Sequence, residues 1–204
     1  TGTTVYTNLS VQSAKYAWNA ALDFLEFQSY VQDTYTDASP SRLMLTNQPS
    51  NRSIRSDENA WLYGLAKSSG DIYYAAFTSY DVDANVLKSG YILNSNQAVT
   101  TDQAHFIRVG VGTRNLNLIS GGSLLGIAQP LIGATTSYYT LRFTDFVGSE
   151  FSELKTYTIS DSCTNHTTYR LHFLNKLGGY DSFTFTKLSR KTLSVRRENY
   201  KKGV

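Results

Sequence analysis

Apolar and polar residues alternate along most of the chain in short runs, a pattern typical of β-strands with one buried and one exposed face. The runs lie at 3–9, 60–66, 71–80, 88–94, 105–111, 138–146 and 154–159. Turn residues separate them at roughly 10-residue intervals, as in β-sandwiches and barrels. We therefore expect a mainly β fold, an antiparallel β-sandwich of the jelly-roll-like type.

Residues 16–31 depart from this alternation and allow two interpretations. Trp18, Leu22 and Leu25 recur near helical spacing, and several alanines around them favour a helix. Apolar residues also recur at every second position, from Leu22 to Phe24, as they would in a strand. We expect one short N-terminal helix here and keep the strand as the alternative.

Two polar stretches, 32–59 and 110–133, are too long for tight turns. Loops of this length in a compact domain are usually functional or ordered by a partner, so we expect two long loops. No linker divides the chain. The sequence predicts a single β-rich domain over 1–204, or two closely packed β subdomains with a soft boundary near 133–137.

A four-residue segment containing Gly, 67–70, separates two of the alternating runs. This spacing predicts that 60–66 and 71–80 pair as a β-hairpin.

The C-terminal run 169–187 predicts a second hairpin, with an aromatic face. Tyr169, Leu171 and Phe173 share one face of the first strand, and Phe183 and Phe185 share one face of the second. Between the strands, Gly178 and Gly179 are expected to supply the positive φ angles of a tight reversal. The residues that define this predicted hairpin are Phe173, Gly178, Gly179, Tyr180, Phe183 and Phe185.

Composition supports strands and a weakly charged surface. The chain has 15 Tyr and 10 Phe, while only 17% of its residues are charged, below the usual quarter. A single cysteine, Cys163, excludes an internal disulfide framework. No apolar run reaches the roughly 18 residues of a membrane helix, so we expect no membrane insertion. The first residue is Thr1, so we expect a processed or partial product.

Basic residues concentrate in the last 18 positions, 187–204, which hold 7 of the 19 Lys and Arg and one acid. Leu193 and Val195 alternate there with polar residues, and Lys and Arg deter unwanted edge pairing. We therefore interpret 187–204 as a basic edge strand or tail that contacts a neighbouring subunit. Its assembly residues would be Leu193, Val195, Arg196 and Arg197. Nucleic acid is the weaker alternative for this charge and is not expected as a partner.

Sites of chemistry are sparse in the sequence. Asp81, Asp83 and Asn85 form the Asp-x-Asp-x-Asn pattern of calcium loops. An EF-hand would need Gly and Glu where Val86 and Ile92 stand, and a polar hairpin turn explains the pattern equally well. No nucleophile elbow and no zinc-ligand spacing occurs. We therefore expect no catalytic residues, no cofactor and no enzyme activity.

Two adjacent tyrosine pairs, Tyr73-Tyr74 and Tyr138-Tyr139, should each send one ring outward if they lie in alternating strands. An outward tyrosine can stack on a sugar or become buried in a subunit interface, because its ring is amphipathic.

The hairpin sequence itself resembles a known group. Residues 173–185 read Phe-Leu-Asn-Lys-Leu-Gly-Gly-Tyr-Asp-Ser-Phe-Thr-Phe, ahead of a basic tail. They resemble a segment of virion structural proteins from tailed phages that infect Bacteroidota. Residues 42–49 (Arg-Leu-Met-Leu-Thr-Asn-Gln-Pro) and 161–163 (Asp-Ser-Cys) are similar to further phrases of that group, which extends the likeness over most of the chain from about residue 40.

This resemblance implies a non-enzymatic tail, baseplate or fibre-mount component, located in the tail region of the virion. Its partners would be copies of itself and other virion proteins in a symmetric oligomer. The alternative function is a carbohydrate-binding or adhesin module that contacts host-surface glycans.

Overall fold

A computed structural model describes residues 44–66, 72–94, 105–150, 152–161 and 168–185. In these ranges the chain forms ten strands, one α-helix and a short 3₁₀ turn, Gly121–Ser123. The elements are β1 Asn51–Ile54, β2 Trp61–Ala66, β3 Tyr74–Tyr80, β4 Val86–Leu93, β5 His105–Gly110, α1 Thr113–Asn117, β6 Leu124–Leu125, β7 Tyr138–Thr144, β8 Lys155–Ile159, β9 Tyr169–Leu174 and β10 Tyr180–Phe185. The predicted mainly β, sandwich-like fold is thereby confirmed.

Six strands form the main sheet, in the order β1-β8-β7-β3-β4-β6. Its neighbouring strands are antiparallel except for β1 and β8, which run parallel at one edge. The central strand β3 alternates strictly between partly exposed and buried residues, so the sheet has an inner and an outer face. This alternation is the pattern that the sequence showed for 71–80.

The core lies between the inner face of the main sheet and a second layer made of β2 and β5. Phe77 and Leu141 point inward from neighbouring strands of the main sheet, and Leu62 and Ile107 meet them from the second layer. Burial of each such side chain stabilises the fold by about 1.5–3 kcal/mol. Residues on both sides of 133–137, such as Leu131 and Leu141, belong to this one core.

The C-terminal strands β9 and β10 form a two-stranded hairpin. It lies on the side of β2 that faces away from the core. Leu62 of β2 faces the core, while Tyr63 faces the hairpin, where its ring contacts that of Tyr180 with centroids 6.3 Å apart. Trp61 makes a similar contact with His172. The described part of the chain is therefore built in three layers, with the hairpin outermost.

The predicted pairing of 60–66 with 71–80 is wrong. β2 pairs with β5, and β3 pairs with β4 and β7. The reason is that β2 has apolar residues on both faces and belongs to the middle layer, so the chain crosses between layers after Ala66.

The two predicted long loops are only partly loops. β1 falls within 32–59 and adds a strand to the main sheet because Ile54 reaches the core. Within 110–133, α1 forms and buries Leu116 completely. Among the described residues, this five-residue helix is far too short to cross a membrane. The predicted N-terminal helix and the basic segment 187–204 lie outside the described residues.

Candidate functional site

The turn of the C-terminal hairpin is closed by Asn175. Its backbone N–H donates to the Gly179 carbonyl at 2.8 Å, and its side-chain oxygen accepts from the N–H groups of Leu177 and Gly179 at 2.9 and 3.1 Å. Gly178 adopts a φ of +86°, as predicted. Gly179 does not adopt a positive φ, so that part of the prediction is wrong. It is required for space instead, because a Cβ atom there would lie 2.1 Å from the Leu45 carbonyl oxygen.

Polar contacts hold this turn against the segment that begins at Met44. The buried carboxylate of Asp181 accepts hydrogen bonds from the Thr46 hydroxyl at 2.5 Å and from the Asn47 N–H at 3.0 Å. The Asn175 amide donates to the Leu45 carbonyl at 2.8 Å. Hydrogen bonds to a charged group contribute about 1.5–3 kcal/mol each. The turn is thus fixed by contacts that span more than a hundred residues of sequence.

A buried ion pair attaches the strands of the hairpin. Arg170 of β9 pairs with Glu58 and also donates to the hydroxyls of Ser182 and Thr184, both at 2.7 Å. Glu58 additionally accepts from the Thr184 hydroxyl and from the Arg55 N–H. Burial, and then the charge of Arg52, lowers the pKa of Arg170 to about 10. The guanidinium therefore stays charged at neutral pH, and Glu58 supplies the opposing charge.

The other side of the hairpin is apolar and faces outward. Its exposed residues are Tyr169, Leu171, Phe173, Phe183 and Phe185, here called the apolar face. Asp181 lies on the same side, opposite Phe173, and is buried by its contacts with Thr46 and Asn47. Phe183 lies directly opposite Leu171, and Phe185 opposite Tyr169. These five side chains are between 38% and 56% exposed, and none carries a charge. Apart from Tyr180 and Asp181, the hairpin thus turns its polar side chains inward and its aromatic ones outward, the reverse of the usual arrangement.

The extent of this exposure matters for function. With 150–250 Å² per aromatic side chain, half-exposed rings and one leucine present roughly 500 Å². The largest apolar patch of a typical monomer is about 300–600 Å² and is often functional. The apolar face is therefore as large as the largest apolar patch of a typical monomer. Sequence alternation showed which residues share this face but could not show that it points outward.

The calcium-like pattern forms a hairpin turn between β3 and β4. One carboxylate oxygen of Asp81 accepts from the N–H groups of Asp83 and Asn85 at 2.9 and 2.8 Å, and the other accepts from the Asn85 amide at 2.9 Å. These bonds, led by that of the Asn85 side chain, lower the pKa of Asp81. Both oxygens of the Asp81 carboxylate thus accept hydrogen bonds from within the turn. Across the described ranges, no group of three or more His, Cys, Asp or Glu side chains could hold a metal ion.

Of the two adjacent tyrosine pairs, Tyr138-Tyr139 places one ring inward and one outward, as strand alternation requires. Tyr139 is fully buried, while Tyr138 lies on the outer face of the main sheet and stacks on Tyr80, with ring centroids 4.6 Å apart. Tyr73 precedes β3, and both it and Tyr74 are partly exposed. The predicted assembly residues Leu193, Val195, Arg196 and Arg197 lie outside the described residues.

A second surface feature was not expected from the sequence. A cavity of about 510 Å³ opens on the outer face of the main sheet, lined by Tyr91, Arg142, Thr144 and Glu150 among others. These residues come from β4, β7 and the connection that follows β7. In the sequence, the nearest sign of this cavity is that Arg142 and Thr144 lie two positions apart in a predicted strand and therefore share one of its faces.

Comparison of the chain with protein-family models, with curated proteins and with solved structures returned no match.

Proposed function

We propose that this chain is a non-enzymatic structural component of a bacteriophage particle, of the tail, baseplate or fibre-mount type, which assembles as a symmetric oligomer. The observation that carries the proposal is the apolar face of the C-terminal hairpin. Roughly 500 Å² of uncharged, mainly aromatic surface is held outward on a hairpin that an ion pair fixes from behind and that the hydrogen bonds of Asp181 fix next to the turn.

The apolar face has the composition of an interface core. Interface cores are depleted in charge and enriched in Tyr and Phe; all five residues of the apolar face are uncharged, and four of them are Tyr or Phe. Two such faces in contact would bury about 1,000 Å², the lower limit for a specific interface. Because none of the five exposed side chains is charged and the carboxylate of Asp181 beside them is buried, identical copies can approach with little repulsion.

The sequence supports the same setting. The residues that resemble phage virion proteins, 173–185, are those that build the turn and the second strand of this hairpin. A surface with few charges and many Ser and Thr residues suits lateral packing between subunits. The proposed partners are copies of the chain and neighbouring virion proteins.

Quantitative mass spectrometry of gradient-purified particles from the source phage tests the setting. We expect the protein at a fixed copy number that is a multiple of three, six or twelve, as in a closed ring of three-fold, six-fold or twelve-fold symmetry. Its absence from purified particles would overturn the virion assignment.

Paired substitutions test the surface. Leu171→Ser with Phe183→Ser should lower the oligomer mass measured by analytical ultracentrifugation, because it removes apolar area from the proposed interface. The matched control is Val82→Ser, which removes an exposed apolar side chain from the distant β3–β4 turn. The control should keep the oligomer mass of the natural chain.

A further pair, Leu193→Asp with Val195→Asp, tests the contribution predicted for the basic segment. If either pair alone reduces the oligomer mass, that segment of the chain holds the contact. An oligomer mass unchanged by both pairs would contradict assembly through the C-terminal region.

A further inference from the structure

The cavity on the outer face of the main sheet has a defined floor and two walls. Ala76 of β3 lies directly between Tyr91 of β4 and Arg142 of β7 in the strand register. Two strand spacings separate the Cα atoms of Tyr91 and Arg142, which places them about 10 Å apart. The small side chain of Ala76 leaves the floor between them open. The width suits a single six-membered ring with its substituents.

The walls offer a ring on one side and hydrogen-bonding groups on the other. Tyr91 packs against Tyr74, with ring centroids 5.1 Å apart, which fixes its position. Opposite, Arg142 forms an ion pair with Glu150, whose side chain is mostly exposed. The guanidinium offers donors and the carboxylate offers acceptors. Since their charges balance, the cavity favours a neutral ligand.

One buried polar atom points to a missing partner. Thr144 is 2% exposed and lines the cavity, and its hydroxyl has no hydrogen-bond partner among the described residues. An unsatisfied buried hydroxyl destabilises a fold by roughly 1–3 kcal/mol. A ligand hydroxyl would satisfy it after a small movement of the cavity wall, because the Thr144 hydroxyl oxygen is itself closed to solvent. The hydroxyls of Thr78 and Ser89, which lie 3.1 Å apart, line the same cavity.

We propose that this cavity binds one neutral sugar unit, a hexose or N-acetylhexosamine. Such a ring combines an apolar C–H face, which Tyr91 can contact, with hydroxyls that both donate and accept. The cavity volume of about 510 Å³ lies within the range of small-molecule sites. This site is separate from the apolar face of the hairpin, so sugar binding and assembly can be tested independently.

Saturation-transfer NMR and calorimetry with the full chain test the proposal. The probes are the methyl glycosides of glucose, galactose, mannose, N-acetylglucosamine and N-acetylgalactosamine. We expect at least one to bind with a Kd near the 1 mM scale of weak ligands. If a trisaccharide that ends in the bound sugar binds more tightly, the source is a glycan chain; equal affinity indicates a free sugar.

Three variants locate the binding. Arg142→Gln should weaken binding at least tenfold, and Thr144→Val, which preserves the side-chain shape, should weaken it severalfold. Tyr138→Ala is the matched control, since Tyr138 lies on the same face of the sheet but does not line the cavity. Thermal unfolding of each variant verifies that the fold is retained.

Two outcomes would overturn the proposal. One is that none of the five glycosides binds at roughly 10 mM, ten times the expected Kd. The other is that binding persists unchanged in both Arg142→Gln and Thr144→Val. Neither outcome affects the assembly proposal, because the cavity variants leave the hairpin intact and should keep the oligomer mass.

Discussion

Gly179 shows how one residue fixes the position of a whole hairpin. Its backbone lies so close to the segment at Leu45 that any side chain would collide with the carbonyl oxygen there. Backbone atoms on both sides of this contact are hydrogen-bonded, so neither can move away cheaply. The sequence marked Gly178 and Gly179 as a turn. It could not reveal the role of Gly179, since that role depends on a residue more than a hundred positions away.

Gly179→Ala should destabilise the protein by about 1–3 kcal/mol, the cost of an overpacked site. Chemical denaturation measures the change. Gly122→Ala is the control, because a Cβ atom at Gly122 meets no atom within 4 Å. The control variant should be as stable as the natural chain or more stable by up to about 1 kcal/mol. Equal stabilities for the two variants would contradict the close contact at Leu45.

At the scale of elements, alternation predicted strands well and their partners poorly. The strand at 71–80 was predicted because its apolar residues occupy every second position, and β3 lies there. The strand at 60–66 was also predicted and corresponds to β2, but the prediction that it pairs with β3 is wrong. Trp61, Leu62 and Tyr63 are consecutive large residues, which indicates a strand buried on both faces. The prediction gave more weight to the Gly-containing segment 67–70, which suggested a hairpin turn instead.

The hairpin of β9 and β10 should open as one unit. Its attachment depends on a few polar contacts, above all the carboxylate of Asp181 with Thr46 and Asn47. Asp181→Asn removes the charge and should weaken the attachment by about 1.5–3 kcal/mol. Native-state hydrogen exchange should then show amides of the hairpin exchanging roughly 10–150 times faster, while those of β3 and β7 keep their rates.

Asp83→Asn, in the exposed turn after β3, serves as the control and should leave all of these rates unchanged. If amide exchange in Asp181→Asn became faster by the same factor in β3, β7 and the hairpin, the hairpin would open together with the main sheet and not as a separate unit.

At the scale of the molecule, two buried phenols make stability depend on alkaline pH. Tyr139 and Tyr157 stack in the core with ring centroids 5.1 Å apart, and both are almost fully buried. Burial raises the pKa of each well above 10. Above pH 10 the unfolded chain loses these protons and the folded chain keeps them. Stability is therefore fully present below pH 10 and falls as the pH rises further.

Tyr157→Phe should reduce that dependence. A fully retained proton contributes a slope of about 1.4 kcal/mol per pH unit, but at pH 10 only about half of the unfolded chains have lost it. Between pH 10 and 11 the variant should therefore lose about 1 kcal/mol less stability than the natural chain. Urea denaturation at several pH values measures both slopes. Identical slopes would show that the phenol of Tyr157 ionises equally in the folded and unfolded states.

The whole-molecule arrangement was only partly accessible from sequence. Alternation and turn spacing predicted a sandwich, and two sheets do enclose the core. The third layer could not be predicted, because the inward side of the hairpin is largely polar and Glu58, the partner of its Arg170, lies over a hundred residues earlier. The cavity was missed for a similar reason, since β3, β4 and β7 meet there only through the sheet order.

The long sequence separation between Met44–Asn47 and the hairpin sets an order of events during synthesis. Most of the main sheet consists of strands between β3 and β8, and these can pair while the chain is still emerging from the ribosome. The segment near Leu45 must wait for Asn175 and Asp181, about 130 residues later, before its polar groups are satisfied. Loop closure over that distance is slow relative to local pairing. The surface that carries the exposed aromatic rings is therefore completed last, after the core that supports it has formed.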